Sequence, residues 1–145
     1  HDGVTFGWHQ DIQHRDKGND TWSDLNGRGS FVQTLIAIDD MTPHSGPLQF
    51  IAGPGNIGAI GLERHHYEAT SEQLSDLPFD PSKAVTIDAK AGDVVFFGPY
   101  AIHASFENTS SDYRRFFING YAYPGANKRQ YPGDGSGRLI TVNDV

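Results

Sequence analysis

The chain is 145 residues long, with a formal net charge of −7, 37% hydrophobic and 12% aromatic residues, and no cysteine. That is one domain's length with enough apolar content for a core, and the missing thiols exclude disulfide scaffolds, thiolate metal sites and cysteine nucleophiles. Eleven Lys+Arg scattered along an acidic chain argue against a phosphate-backbone binder, and no apolar run nears the roughly 20 residues of a membrane span.

Residues 4–11 read as a strand, with Val4, Phe6 and Trp8 alternating with Thr5, Gly7 and His9. A polar loop rich in Asp, Asn and Gly follows over 12–29. The run FVQTLIAID at 31–39 is β-branched and bounded by Gly29 and by turn residues at 39–43, which marks a strand. Gly46-Pro47 opens a shorter strand over 48–52. From 53 to 81 the pattern weakens, with a short helix expected at 68–77. Strands resume at 84–87 and, after the turn Ala91-Gly92-Asp93, at Val94–Phe97, whose unbroken apolar run predicts burial on both faces. Strands over 103–107 and 114–123 follow, joined by the turn-rich link 108–112, before a loop-like tail from Pro124. Seven or so short strands, punctuated by 17 Gly and 8 Pro, predict an all-β jelly roll with little helix. Because His1 opens in what reads as mid-domain strand, the expectation is a single domain over 1–145 that lacks an N-terminal portion.

The chemistry-bearing residues are histidines and carboxylates. His9-Gln10-Asp11 is an H-x-D pair, and on a strand residues i and i+2 point to one face, so both side chains could reach one metal. Seven His and 14 Asp in this length give roughly 0.7 chance matches to H-x-D, so the pair alone is a weak signal. A second pair, His14-Arg15-Asp16, lies among Lys17, Gly18 and Asn19 in the predicted loop and is the poorer candidate. His103, just beyond the apolar strand Val94–Phe97, supplies a third ligand. Two His and one carboxylate form the facial arrangement that leaves three positions open on iron(II). His44, His65 and His66 follow turn or helix-border signals and read as surface histidines.

At His103 the sequence meets a family. Gly92-Asp93-Val94-Val95-Phe96-Phe97, then Ile102-His103-Ala104-Ser105, then Asn108 and Arg114-Arg115, resembles the C-terminal signature of the phytanoyl-CoA dioxygenase family. Trp8-His9-Gln10-Asp11 resembles its metal motif, and Ser45-Gly46-Pro47-Leu48 resembles the G-P-L strand between them. The similarity runs from about Phe6 to Tyr123 with the motifs in order. It implies a double-stranded β-helix, with iron(II), the co-substrate 2-oxoglutarate, and O2. Residue by residue, His9, Asp11 and His103 match the family's ligands, Arg114 its 2-oxoglutarate-binding arginine, and Ser105 a hydroxyl that assists it. An arginine there makes chemical sense, because its planar fork binds a carboxylate bidentately. Related halogenases carry a small residue in place of the carboxylate ligand, so Asp11 implies hydroxylation or another oxidation. The text Ile51-Ala52-Gly53-Pro54-Gly55 departs from the I-P-G-S-H-like segment many members carry.

The resemblance implies a C–H hydroxylase of a small-molecule substrate that releases succinate and CO2. Selectivity would lie in the loops 12–28 and 53–81, and Trp8, Phe106 and Phe117 are candidates to wall the pocket. Gln10, between the ligands, should face away from the metal and is a candidate to orient a neighbour. No nucleic-acid or membrane partner is expected, and a cysteine-free chain fits a reducing cytoplasm; the oligomeric state is left open. Two rival readings are a cupin-like metal enzyme without 2-oxoglutarate and a non-catalytic β-sandwich binding module. The first usually draws extra His or Glu ligands from closely spaced motifs, and no H-x-H occurs here.

Overall fold

The computed structural model describes residues 5–14, 21–52 and 78–129. Seven strands are found there: β1 (Phe6–His9), β2 (Phe31–Ala37), β3 (Leu48–Ile51), β4 (Ala84–Thr86), β5 (Val94–Phe97), β6 (His103–Ser105) and β7 (Phe116–Ala122). The helical content among the described residues is two 3₁₀ turns, Asp11–His14 and Pro81–Lys83. All strand pairings are antiparallel, in a first sheet of order β1-β6-β3-β4 and a second of order β5-β2-β7. Strands adjacent in space are mostly distant in sequence, the interleaving that makes a jelly roll. The all-β double-stranded β-helix read from the sequence is the fold observed. The expected helix at 68–77, the second H-x-D pair's Asp16, and His65 and His66 lie outside the described residues.

The sheets face each other across one apolar core. Leu35 and Ala37 of β2, Val95 and Phe97 of β5 and Phe116 of β7 meet Leu48 and Phe50 of β3, with Met41 and Ala89 sealing one end. Alternation along each strand sorts these residues from their neighbours. Val94–Phe97 departs from the expectation of two-sided burial, since Val94 is 44% and Phe96 69% exposed. The reason is position: only the Val95 and Phe97 face of β5 meets the opposite sheet, and Val94 and Phe96 lie on the second sheet's outer face with the exposed Phe117. A second cluster, Trp8, Ile102 and Ala104 with Ile51, Phe79 and Ala84, covers the first sheet's other face. Among the described residues no helix is long and apolar enough to cross a membrane.

Polar caps end the strands earlier than the hydrophobic pattern implies. β2 stops at Ala37 because Asp39 leaves the sheet to grip Arg115 through Nε and Nη2 at 2.9 and 2.8 Å. Asp40 accepts the Ala91 N–H at 2.8 Å and so fixes the turn into β5. The entry to β3 is tighter still. Ser45 Oγ accepts the Thr42 N–H at 2.9 Å, and Gly46 follows at φ +73°. A Cβ on Gly46 would sit 2.4 Å from the Phe106 carbonyl oxygen, on the strand exit of β6. Glycine therefore lets β3 lie beside β6 at this corner. Gly46→Ala should destabilise the fold by roughly 3 kcal/mol, adding left-handed strain to a backbone clash; urea unfolding reads this as a lower midpoint.

Candidate metal centre

The centre is built on a register. His9 of β1 is paired across the sheet with His103 of β6, and His103 is paired in turn with Phe50 of β3. Antiparallel partners carry their side chains on the same face. The His9 and His103 rings consequently lie 4.2 Å apart, and Phe50 stacks on the other side of His103 at 5.4 Å and 21°. Phe97 from the opposite sheet closes over the same ring at 4.9 Å.

Asp11 arrives differently from the strand geometry expected for it. β1 ends at His9, and Asp11 opens a 3₁₀ turn. The bend is held by the loop before β6, where three consecutive carbonyls each take a proton donor from the site. Pro99 O accepts the Ile12 N–H at 3.0 Å, Tyr100 O accepts the Gln10 amide at 2.8 Å, and Ala101 O faces His103 Nδ1 at 2.9 Å. Gln10, fully buried, points away from the ligands as expected and ties them to this loop. Asp11 Oδ1 ends 3.6 Å from His9 Nε2 and 3.9 Å from His103 Nε2.

Each imidazole has its other nitrogen committed. His9 Nδ1 contacts Gly7 O at 2.7 Å and His103 Nδ1 contacts Ala101 O at 2.9 Å. Carbonyls only accept, so Nδ1 carries a proton on both rings and each Nε2 is left facing Asp11. The three donor atoms lie within 4.8 Å of one another. A metal bonded to nitrogen and oxygen at about 2.1 Å spaces adjacent donors by about 3 Å, so a modest inward movement suffices. The donor set, nitrogen and oxygen with no sulfur, fits iron(II).

Electrostatics match. Burial pushes the Asp11 carboxyl up, but the contact with His9, the charge of His103 and the amide of Gln33 outweigh it and hold the group at about 2. Burial and the neighbouring His9 push His103 below the ordinary imidazole value, against the opposing pull of Asp11.

Arg114 precedes β7 and lays its guanidinium over the Phe116 ring at 5.1 Å, on the side of the second sheet that meets the first. Its Nη1 is buried with no hydrogen-bond partner, and burial lowers its affinity for a proton. Among the described residues no carboxylate answers it, whereas Arg115 is exposed and taken by Asp39. A buried donor of this kind calls for an anion. Ser105, 4% exposed, shares the face of β6 that carries His103.

The sequence reading missed Gln33, whose Nε2 donates to Asp11 Oδ2 at 3.1 Å, and the aromatic pair Phe50 and Phe97. Gln33 was detectable as the polar residue on the alternation of Phe31, Leu35 and Ala37. Of the expected pocket aromatics, Trp8 belongs to the cluster on the first sheet's far face, and Phe117 is 55% exposed beside Ile36 on the second sheet's outer face. Phe106 is 44% exposed and edges Trp8 at 6.4 Å. His44 is an exposed turn residue whose carbonyl receives the Thr109 N–H.

The chain is also similar to known proteins. The chain is 31% identical over 132 aligned positions to an L-proline trans-4-hydroxylase of Streptomyces griseoviridis, covering 79% of this chain and 47% of that protein. Among solved structures, the apo form of EctD from S. alaskensis superposes with a TM-score of 0.61 at 21% identity, over 94% of this chain and 45% of that one. EvdO2 from Micromonospora carbonacea var. aurantiaca, complexed with 2-oxoglutarate, gives 0.58 at 20% identity, over 86% and 50%. The chain thus spans about half the length of the relatives it matches. The family model for phytanoyl-CoA dioxygenase (PhyH) matches residues 1–116, and the chain, with its jelly roll and His–Asp–His cluster, belongs to that family.

Proposed function

We propose that this chain is the catalytic core of an iron(II)- and 2-oxoglutarate-dependent dioxygenase that hydroxylates a C–H bond of a small molecule, releasing succinate and CO2. The observation that carries the reading is the pairing of three converging ligand atoms with the partnerless buried Nη1 of Arg114. Bound iron would supply the O2 activation and C–H oxidation that no side chain can. His9, Asp11 and His103 would hold it on one face, Arg114 would take the far carboxylate of 2-oxoglutarate, and Ser105 would assist. The relative named for hydroxylating L-proline supports a small-molecule substrate.

Under anaerobic conditions, iron(II) plus 2-oxoglutarate should give a visible charge-transfer band, and with O2 and ascorbate succinate should form. Asp11→Ala should abolish both. A wild-type protein that shows neither would refute the assignment and favour a non-catalytic sandwich. Arg114→Met should weaken 2-oxoglutarate binding by roughly 100-fold, the loss of a desolvated charged pair, and leave metal binding intact. Calorimetry with each ligand separates the two effects.

The pH dependence follows from His103. Its folded value lies below its unfolded one, near 6.5, so the unfolded chain binds the extra proton in that window. Stability is then fullest above about pH 6.5 and is lost as pH falls through that value. Urea midpoints of metal-free protein should drop between about pH 7.5 and pH 5.5, and His103→Asn should flatten the drop.

A further inference from the structure

We infer that Gln33 is the positioning residue that makes Asp11 a one-oxygen ligand, and that Gly120 is the space that lets it do so. The inference rests on the reading of His9, Asp11 and His103 as metal ligands.

The two oxygens of Asp11 have different surroundings. Oδ1 faces both Nε2 atoms, while Oδ2 accepts the Gln33 amide at 3.1 Å. Gln33 comes from β2, the middle strand of the opposite sheet, so this bond crosses the sandwich. Across the ladder from Gln33 stands Gly120 of β7. A Cβ at position 120 would lie 2.7 Å from Gln33 Oε1 and 3.8 Å from its Cδ. Oε1 therefore occupies the space a side chain at 120 would fill, while Nε2 reaches the carboxylate. A flipped amide would set oxygen against oxygen at Asp11, which fixes the orientation.

The consequence is chemical. A carboxylate with one oxygen engaged by a fixed donor offers the metal the other alone. Asp11 would then hold a bound metal through Oδ1 alone. Released from Gln33, both oxygens become available and the ligand loses its aim.

The test is a double-mutant cycle on Co(II) binding, measured anaerobically by calorimetry on the purified protein, which needs no turnover. Gln33→Leu keeps the volume, removes the donor, and should weaken Co(II) binding by roughly 10- to 100-fold. Gly120→Ala touches no ligand, and the group it displaces is the tip of a flexible side chain, so the variant folds with an urea midpoint close to wild type. It should nevertheless weaken Co(II) binding in the same direction. Combined with Gln33→Leu it should add nothing further, because the amide it displaces is already gone. Gln33→Leu binding within twofold of wild type, or single effects that simply add, would overturn the inference. Failure of the wild-type protein to bind Co(II) in a His103-dependent manner would instead sink the metal reading itself, and this inference with it.

Discussion

The site depends on the lateral pairing of β1 with β6, which sets His9 and His103 side by side on one face of one sheet. A slip of one residue in either strand would send one imidazole to the far face, among Trp8, Ile102 and Ala104. What prevents the slip is the packing on both faces. Phe50 and Phe97 hold the His103 ring from the core side, and the Trp8 cluster anchors the other. The irregularity between Phe6 and His9 falls in this pairing, where a bulge re-aims the last residue of the strand. The Ile12 N–H and the Gln10 side-chain amide, donating to the Pro99 and Tyr100 carbonyls, then carry the chain round to Asp11.

Much of this was legible in the letters. The β-branched run 31–39, bounded by Gly29 and turn residues, and the Gly46-Pro47-Leu48 entry gave β2 and β3, because strand-forming residues between turn formers have few other places to go. The convergence of His9, Asp11 and His103 was legible through the family resemblance, whose motifs come in order, because H-x-D spacing alone is a weak signal. Strand ends were not, since they are set by Asp39 and Asp40 reaching residues 50 and more positions away. Burial of Val94–Phe97 was misjudged for a related reason: an apolar run does not encode whether one face of its strand or both will be covered. Gln33 escaped notice because its partner, 22 residues upstream, becomes a neighbour only when the two sheets close.

Burying two imidazoles and a carboxylate together is unfavourable unless their charges and hydrogen bonds are answered. Here Asp11 stays ionised, at about 2, through His9, His103 and Gln33, while His103 resists protonation. A metal ligand needs those protonation states, with carboxylate charged and Nε2 free. The environment thus presents an ionised carboxylate and two imidazole nitrogens beside the Phe50 and Phe97 rings, a donor set suited to a divalent cation. Arg114 presents the complementary problem on the other sheet, a cation half sunk beside Phe116 with an unanswered N–H.

Asp11 follows β1 of the first sheet and Arg114 precedes β7 of the second, and that division explains why a sandwich suits the chemistry. The first sheet supplies both imidazoles; the second supplies Gln33 and leads from Arg114 into β7. A dianion with a carboxylate at each end and a chelating 2-oxo group has the charge pattern to bridge a cation on one layer and a guanidinium on the other. A bound divalent cation would offset the negative charge of Asp11, and the far carboxylate of the dianion would answer the buried guanidinium of Arg114. The same closure puts Phe97 over His103, so inter-sheet packing and ligand geometry are one property of the fold. A substitution that loosens the Leu35, Phe50 and Phe97 contacts would therefore disturb metal and co-substrate together, whereas one at Arg114 would separate them.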